Sequence, residues 1–176
     1  MSRLPELKPD AMTPAQRAIF DKRGGRVSGP SGVWLRVPEI ATPADALITV
    51  LRNGKLEPRL FELMTLIVAR KWTVQYVFNA HKQLALDAGL AADVIEAIRT
   101  RRVPTFTHED EKLVYEVVNE LMATRDLLPG THDRAVKALG LEKTIELVTG
   151  IGLYGTVAGL LRAFDVSVPE AERQLP

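Results

Sequence analysis

Two side chains stand where the pattern calls for hydrocarbon. Across residues 60–69, read LFELMTLIVA, Glu62 is the only ionisable residue, set among Leu, Phe, Met, Ile and Val. In the following stretch Val74, Val77, His81, Leu84 and Ala88 recur at alternating spacings of three and four, which is one face of a helix. His81 is the only polar member of that face. A buried charge is costly unless paired, so each needs a partner, and each is the nearest candidate for the other. The chemistry such a pair supports is proton transfer: an imidazole titrates near neutral pH, and a carboxylate orients it or relays its proton. The same pair also has a plainer reading, as a satisfied polar contact that fixes the register of two core helices.

Other chemistries are closed by composition. There is no cysteine, which excludes disulfides, thiolate metal sites and every thiol mechanism. The three histidines, His81, His108 and His132, are far apart and none has another at ligand spacing, so no metal site is expected. The net charge of +1 comes from 23 basic and 22 acidic residues, well mixed along the chain. A nucleic-acid surface needs a concentrated basic stripe, and the short run Arg99-Thr100-Arg101-Arg102 reads as a solvated helix end. The first ten residues are polar and fit neither a signal peptide nor an anchor. No apolar stretch reaches the roughly 18 residues of a membrane span. A cytoplasmic protein without nucleic-acid or membrane partners is the resulting expectation.

The elements that must position Glu62 and His81 are helices. Residues 1–176 have the length and apolar content of one domain with its own core. Thr13-Pro14-Ala15-Gln16 is a capping box and predicts a helix to about Lys22. Gly24, Gly25, Gly29, Pro30, Gly32 and Pro38 predict a long loop. Trp34 lies in that loop, as an anchor on the core or, functionally, a lid over a pocket. Thr42-Pro43 opens the next helix, with Gly54 as its left-handed cap. Pro58 opens the helix of Glu62; Thr73 or a neighbour opens that of His81, which Gly89 ends. These two, residues 60–69 and 74–88, are expected as an antiparallel pair at the centre of the fold, with Glu62 and His81 in hydrogen-bonding reach, directly or through one water. Further helices are predicted at 92–100, from a Thr107/Asp110 cap to Ala123, from Thr131 to a Gly140 cap, and over 142–164. The tail after Asp165 reads as extended. No long period-two alternation argues for a strand, so the fold class is all-α, with about eight helices.

Three motifs invite over-reading. Gly150, Gly152 and Gly155 spell G-x-G-x-x-G, but only 21 residues follow, too few for the second strand and acidic residue of a dinucleotide site. Gly152, Gly155 and Gly159 instead predict close approach by a neighbouring helix. His108 and His132, each after a threonine, read as surface residues, and Glu109-Asp110-Glu111 as a solvated cluster at a helix start.

Glu62, the apolar helix after it, His81 nineteen positions later and Leu84-Ala85-Leu86-Asp87-Ala88-Gly89-Leu90 together resemble the carboxymuconolactone decarboxylase family and its relative alkyl hydroperoxidase D. Gly29-Pro30 with Trp34-Leu35-Arg36-Val37-Pro38-Glu39 is similar to the N-terminal segment of a cysteine-free branch. Residues 147–164, with Tyr154 central, resemble the family's last helix. The resemblance implies an alkyl hydroperoxidase D-like helical bundle. Where peroxidase members carry a C-x-x-C pair this chain has Val74 and Val77, which excludes the peroxidase reaction. Cysteine-free relatives often have a tyrosine and then a glutamate before the histidine. Here Tyr76 is kept, and Val77 stands where the glutamate would fall.

The function so implied is a cofactor-free lyase or decarboxylase-like enzyme for a small carboxylated or lactone metabolite. His81 is its general acid/base and Glu62 its orienting or relaying group. Tyr76 and Tyr154 would hydrogen-bond the substrate, Arg70 would grip its carboxylate as a bidentate fork, and Trp34 would close the pocket. The alternative is a non-catalytic helical oligomer that keeps the scaffold and a structural Glu–His pair. Assembly is expected either way. The last helix is apolar over most of its circumference, a surface a monomer rarely exposes, and members of the resembled family are typically trimers or hexamers.

Overall fold

The computed structural model describes residues 2–176. Among these, 69% are helical and none lies in a strand. Nine α-helices follow one another: α1 (Pro14–Lys22), α2 (Gly29–Trp34), α3 (Pro38–Arg52), α4 (Pro58–Lys71), α5 (Gln75–Asp87), α6 (Ala92–Arg99), α7 (Glu109–Thr124), α8 (Pro129–Leu139) and α9 (Leu141–Ala163). Proline occupies the first turn of α1, α2, α3, α4 and α8, where its missing N–H has no intrahelical acceptor to lose and its φ is already helical. The capping box of α1 forms in full, Gln16 N donating to Thr13 Oγ1 and Thr13 N to Gln16 Oε1.

The hub is α4. A helix apolar on every side is stable only when enclosed, and every residue from Leu60 to Arg70 is buried. It packs against α5, α6, α7 and α9. The turn into α5 is three residues long: Thr73 takes a left-handed φ of 51° and Val74 N donates to Ala69 O at 2.9 Å. That six-to-one bond ends α4 as a Schellman turn and sends α5 back along it. Buried on α5 are Val77, Phe78, His81 and Ala85. The inward face is thus turned slightly from the expected one, and Leu84 faces outward at 43% exposure.

Several boundaries differ from expectation. The loop of breakers contains α2, because Gly29, Pro30 and Gly32 all fall within its first turn and Val33 and Trp34 are pulled into the core. α3 starts at Pro38, so Pro43 lies inside the helix, which buried Ala41 and Leu51 anchor across it. Gly54 is not a left-handed cap. A Cβ there would lie 2.6 Å from a Glu146 carboxylate oxygen, and that carboxylate accepts from Lys55 N and Leu56 N just ahead of α4. Thr107 and Thr131 are not caps either: α7 and α8 begin at Glu109 and Pro129, and Thr131 is buried with its hydroxyl on Glu120.

The acidic run of α7 is more than a solvated cluster. Glu111 is 2% exposed and, with Asp110, clamps Arg59 of α4. On α9 it is Gly150 that admits a neighbour, since a Cβ would meet Met64 Cε at 2.6 Å, whereas Gly152, Gly155 and Gly159 have nothing within 4 Å. The close approach is made by the side of α9 that faces α4. By length and composition, α9 is also a helix that could cross a membrane, contrary to expectation. Its Leu147, Ile151, Tyr154, Val157 and Leu161 are core residues.

Candidate active site

Glu62 projects from the middle of α4 and His81 from the facing turn of α5. Their side chains meet with His81 Nδ1 2.6 Å from Glu62 Oε2. Both residues are buried, at 7% and 5% exposure, so the bond forms where little water competes for either group. A carboxylate on Nδ1 selects the tautomer with the proton there and leaves Nε2 as the free position of the ring. On that side the hydroxyl of Tyr154 from α9 is 3.3 Å from Nε2. The Tyr154 ring also meets the imidazole edge to face, at 5.2 Å between centroids, and Phe61 at 5.7 Å. These contacts lock the angle of the imidazole between three helices.

Tyr154 is buried, and burial pushes its pKa up, with the neighbouring Arg52 guanidinium acting in the opposite direction. At neutral pH it is therefore a phenol with a proton to donate, and Nε2 is its acceptor.

Beside the His81–Tyr154 contact lies a cavity of about 490 Å³. His81, Tyr154, Tyr76 and Val157 form one side of it, the segment of Arg26, Val27 and Ser28 before α2 another, and Asp45, Ile48, Thr49 and Arg52 of α3 a third. Tyr76 is held at this wall by its hydroxyl, 2.8 Å from Ser28 Oγ. Gly29 makes that contact possible: its φ is +56°, and a Cβ would fall 2.2 Å from the Tyr76 ring. Only glycine combines that backbone with that closeness. The charged lining is Arg23, Arg26, Arg52 and Asp45. Arg23 is paired with Asp45 yet leaves its Nη1 buried without a partner. The cavity thus carries a surplus of positive charge opposite an imidazole.

Of the residues singled out from sequence, Glu62, His81, Tyr76 and Tyr154 come together here. Two do not. Trp34 packs in the core and is absent from the cavity wall. Arg70, eight residues beyond Glu62 on α4, lies about 12 Å further along the helix axis and lines a different cavity. The guanidinium that faces the imidazole cavity is that of Arg52, which the sequence presents only as a basic residue in the last turn of a helix. Ser28 and Arg26 were equally hidden, in a segment read as loop. Among the described residues no group of three or more His, Asp or Glu is placed to hold a metal ion, and His108 and His132 are exposed.

No protein-family model and no curated protein sequence matches the chain. Among solved structures it is similar to the debrominase Bmp8, in a cysteine-to-alanine variant complexed with 2,3,4-tribromopyrrole. The two superpose with a TM-score of 0.70 over 96% of this chain and 91% of that one, at 17% identity. At that identity the likeness is one of fold, and it agrees with the helical bundle that the sequence resemblance implies.

Proposed function

We propose that this protein is a cofactor-free enzyme that moves a proton on a small anionic or lactone metabolite, in the manner of a decarboxylase or related lyase. The observation that carries the reading is the buried Glu62–His81 pair, with His81 and Tyr154 at the wall of a cavity of metabolite size. His81 Nε2 is the proton-transferring atom and Glu62 fixes its tautomer and orientation. Loss of CO2 from carbon leaves electron density that must be spread and then quenched by a proton. Nε2 first takes up a proton from the substrate or solvent, Glu62 on Nδ1 stabilises the imidazolium so formed, and Nε2 then returns the proton to carbon. Arg52 and Arg26 hold the carboxylate, taking the part first assigned to Arg70, and Tyr76 and Tyr154 hydrogen-bond the oxygens. Bmp8 supports the reading as a protein of this fold that binds a small ring compound. Any step that needs a thiol is closed to this chain.

Assembly belongs to the same proposal. Ile40, Leu47 and Val50 of α3 and Leu141, Ile145 and Val148 of α9 are exposed apolar side chains on two helices in contact. A second copy is the natural cover for them. Light scattering that returned 19.4 kDa, the mass of one chain, would refute this part.

The alternative, a scaffold with a structural Glu–His pair, predicts no turnover of anything. Purified protein should be screened against lactones and β-keto acids with His81→Ala as control. Turnover lost in the variant supports the enzyme. Turnover that survives the substitution removes His81 from the chemistry, and a bare screen with ligand-free thermal behaviour favours the scaffold.

A further inference from the structure

A second cavity, of about 340 Å³, lies at the far end of α4, lined by Ile67, Arg70, Lys71, Ile98, Arg101, Arg102, Tyr115 and Asn119. Four of its lining residues are cationic and none is acidic. Among the described residues, none of these four cations is paired with an aspartate or glutamate. That contrasts with Arg99 beside them, which is paired with Glu96.

Arg70 is the group at issue. It is 6% exposed, and its Nε is buried with no hydrogen-bond partner. Its Nη1 donates to Thr73 Oγ1 at 3.2 Å and its Nη2 to the main-chain oxygen of Pro176, the last residue of the sequence, at 3.1 Å. Burial lowers its pKa, and Arg101 and Arg99 lower it further. A buried guanidinium with neighbours of its own sign is a costly arrangement that an anion relieves.

The backbone brings these cations together at a cost of its own. α6 ends as α4 does, in a Schellman turn: Arg102 N donates to Ala97 O at 2.8 Å, and Arg101 sits at φ +60°. The left-handed residues of the two turns, Thr73 and Arg101, meet through Arg101 Nη2 and Thr73 Oγ1 at 3.1 Å. A β-branched residue at positive φ is a strained choice. Here its hydroxyl accepts from both guanidinium groups and spaces them.

We propose that this cavity is a binding site, separate from the His81 cavity, for a small organic oxyanion with a ring-sized apolar body. Arg101 and Arg102 grip the carboxylate or phosphate group through their forks, with the buried charge of Arg70 behind them and Lys71 at the rim. Ile67 and Ile98, both buried, take the apolar body beside the Tyr115 ring, and Asn119 offers an amide to a substituent. The inference stands whatever reaction His81 performs.

Calorimetric titration of the full chain with benzoate, phenyl phosphate, inorganic phosphate and benzamide tests it. Benzoate or phenyl phosphate should bind at one site, with neutral benzamide at least about tenfold weaker. Whichever of the two binds better identifies the oxyanion, and inorganic phosphate binding as well as phenyl phosphate would exclude the apolar half of the site. The Arg101→Gln/Arg102→Gln double variant, which changes only exposed side chains, should lose about tenfold or more in affinity. Arg52→Gln, in the other cavity, should lose nothing at this site. Binding lost in Arg52→Gln and kept in the double variant, or no binding of either aromatic anion at millimolar concentration, overturns the proposal. A melting temperature for the double variant matching the parent chain's shows that the loss is one of binding.

Discussion

Arg59 and Glu62 sit three residues apart on α4, and each holds a polar side chain of another helix. Arg59 is clamped by Asp110 and Glu111 at the start of α7, and Glu62 holds His81 of α5. In the first, both acids that face the guanidinium are engaged by it, and no cavity described here touches any of the three. In the second, one ring nitrogen is held by Glu62, the other meets the Tyr154 hydroxyl, and His81 and Tyr154 together line a cavity. Pairing between helices is common to both, so pairing alone does not mark a functional site. The difference is the cavity with surplus positive charge that His81 and Tyr154 line. A closed pair joins helices, and an open one can also exchange a proton.

The sharpest way to break this contrast is His81→Ala. On a substrate found in the lactone and β-keto acid screen, turnover should fall by about 10²–10⁴-fold, the usual worth of a positioned acid/base. Steady-state kinetics on the folded variant measures it, and a loss of less than threefold would put the two pairs in the same structural class. The converse test is Glu111→Gln. Arg59 keeps Asp110 as a partner, so losing this one charged hydrogen bond should cost about 2 kcal/mol of stability, read from urea unfolding, while the turnover of the folded fraction stays unchanged.

A smaller effect is expected from Arg52→Gln, which removes a positive charge from the open cavity only. KM for an anionic substrate should rise about tenfold, roughly 1.4 kcal/mol, with kcat much less affected. The same change at Arg59 should leave KM alone. Tyr154 provides a test by pH. Burial raises its pKa in the folded protein, while the unfolded chain releases that proton near the ordinary tyrosine value of about 10. Above that pH the unfolded state therefore binds fewer protons than the native one, and stability falls as pH rises. Tyr154→Phe should remove this part of the alkaline decline in a melting series from neutral pH upward. The least effect belongs to a site remote from both pairs: Thr13→Ala should cost about 1 kcal/mol, the worth of a helix cap, with no kinetic consequence.

Some of this was legible in the residues because it is local or periodic. Apolar runs with period near 3.6, prolines in first turns and the Thr13–Gln16 box mark where helices lie. Glu62 and His81 announce themselves by interrupting those runs, since a polar group among hydrocarbons demands a partner. Their meeting follows from a short turn between two buried helices. Tyr76 and Tyr154 were reachable by family resemblance, though nothing in their spacing says which wall they form.

What only the tertiary structure decided is everything that depends on which element lies opposite which. Arg52, not Arg70, faces the imidazole, because the end of α3 lies across the cavity while Arg70 rides α4 away from it. Trp34 anchors the core because α2 forms inside the segment read as loop, with Gly29, Pro30 and Gly32 together in the first turn of the helix. Gly54 and Gly29 are required for the space that Glu146 and Tyr76 fill, a demand made by residues 92 and 47 positions away. The acidic start of α7 becomes a buried clamp because Arg59 lies opposite. Local sequence sets backbone preference and the need for burial, energies that act within a few residues. Which side chain satisfies a need, and which face is left open to a ligand, is settled by contacts between distant segments that no local pattern encodes.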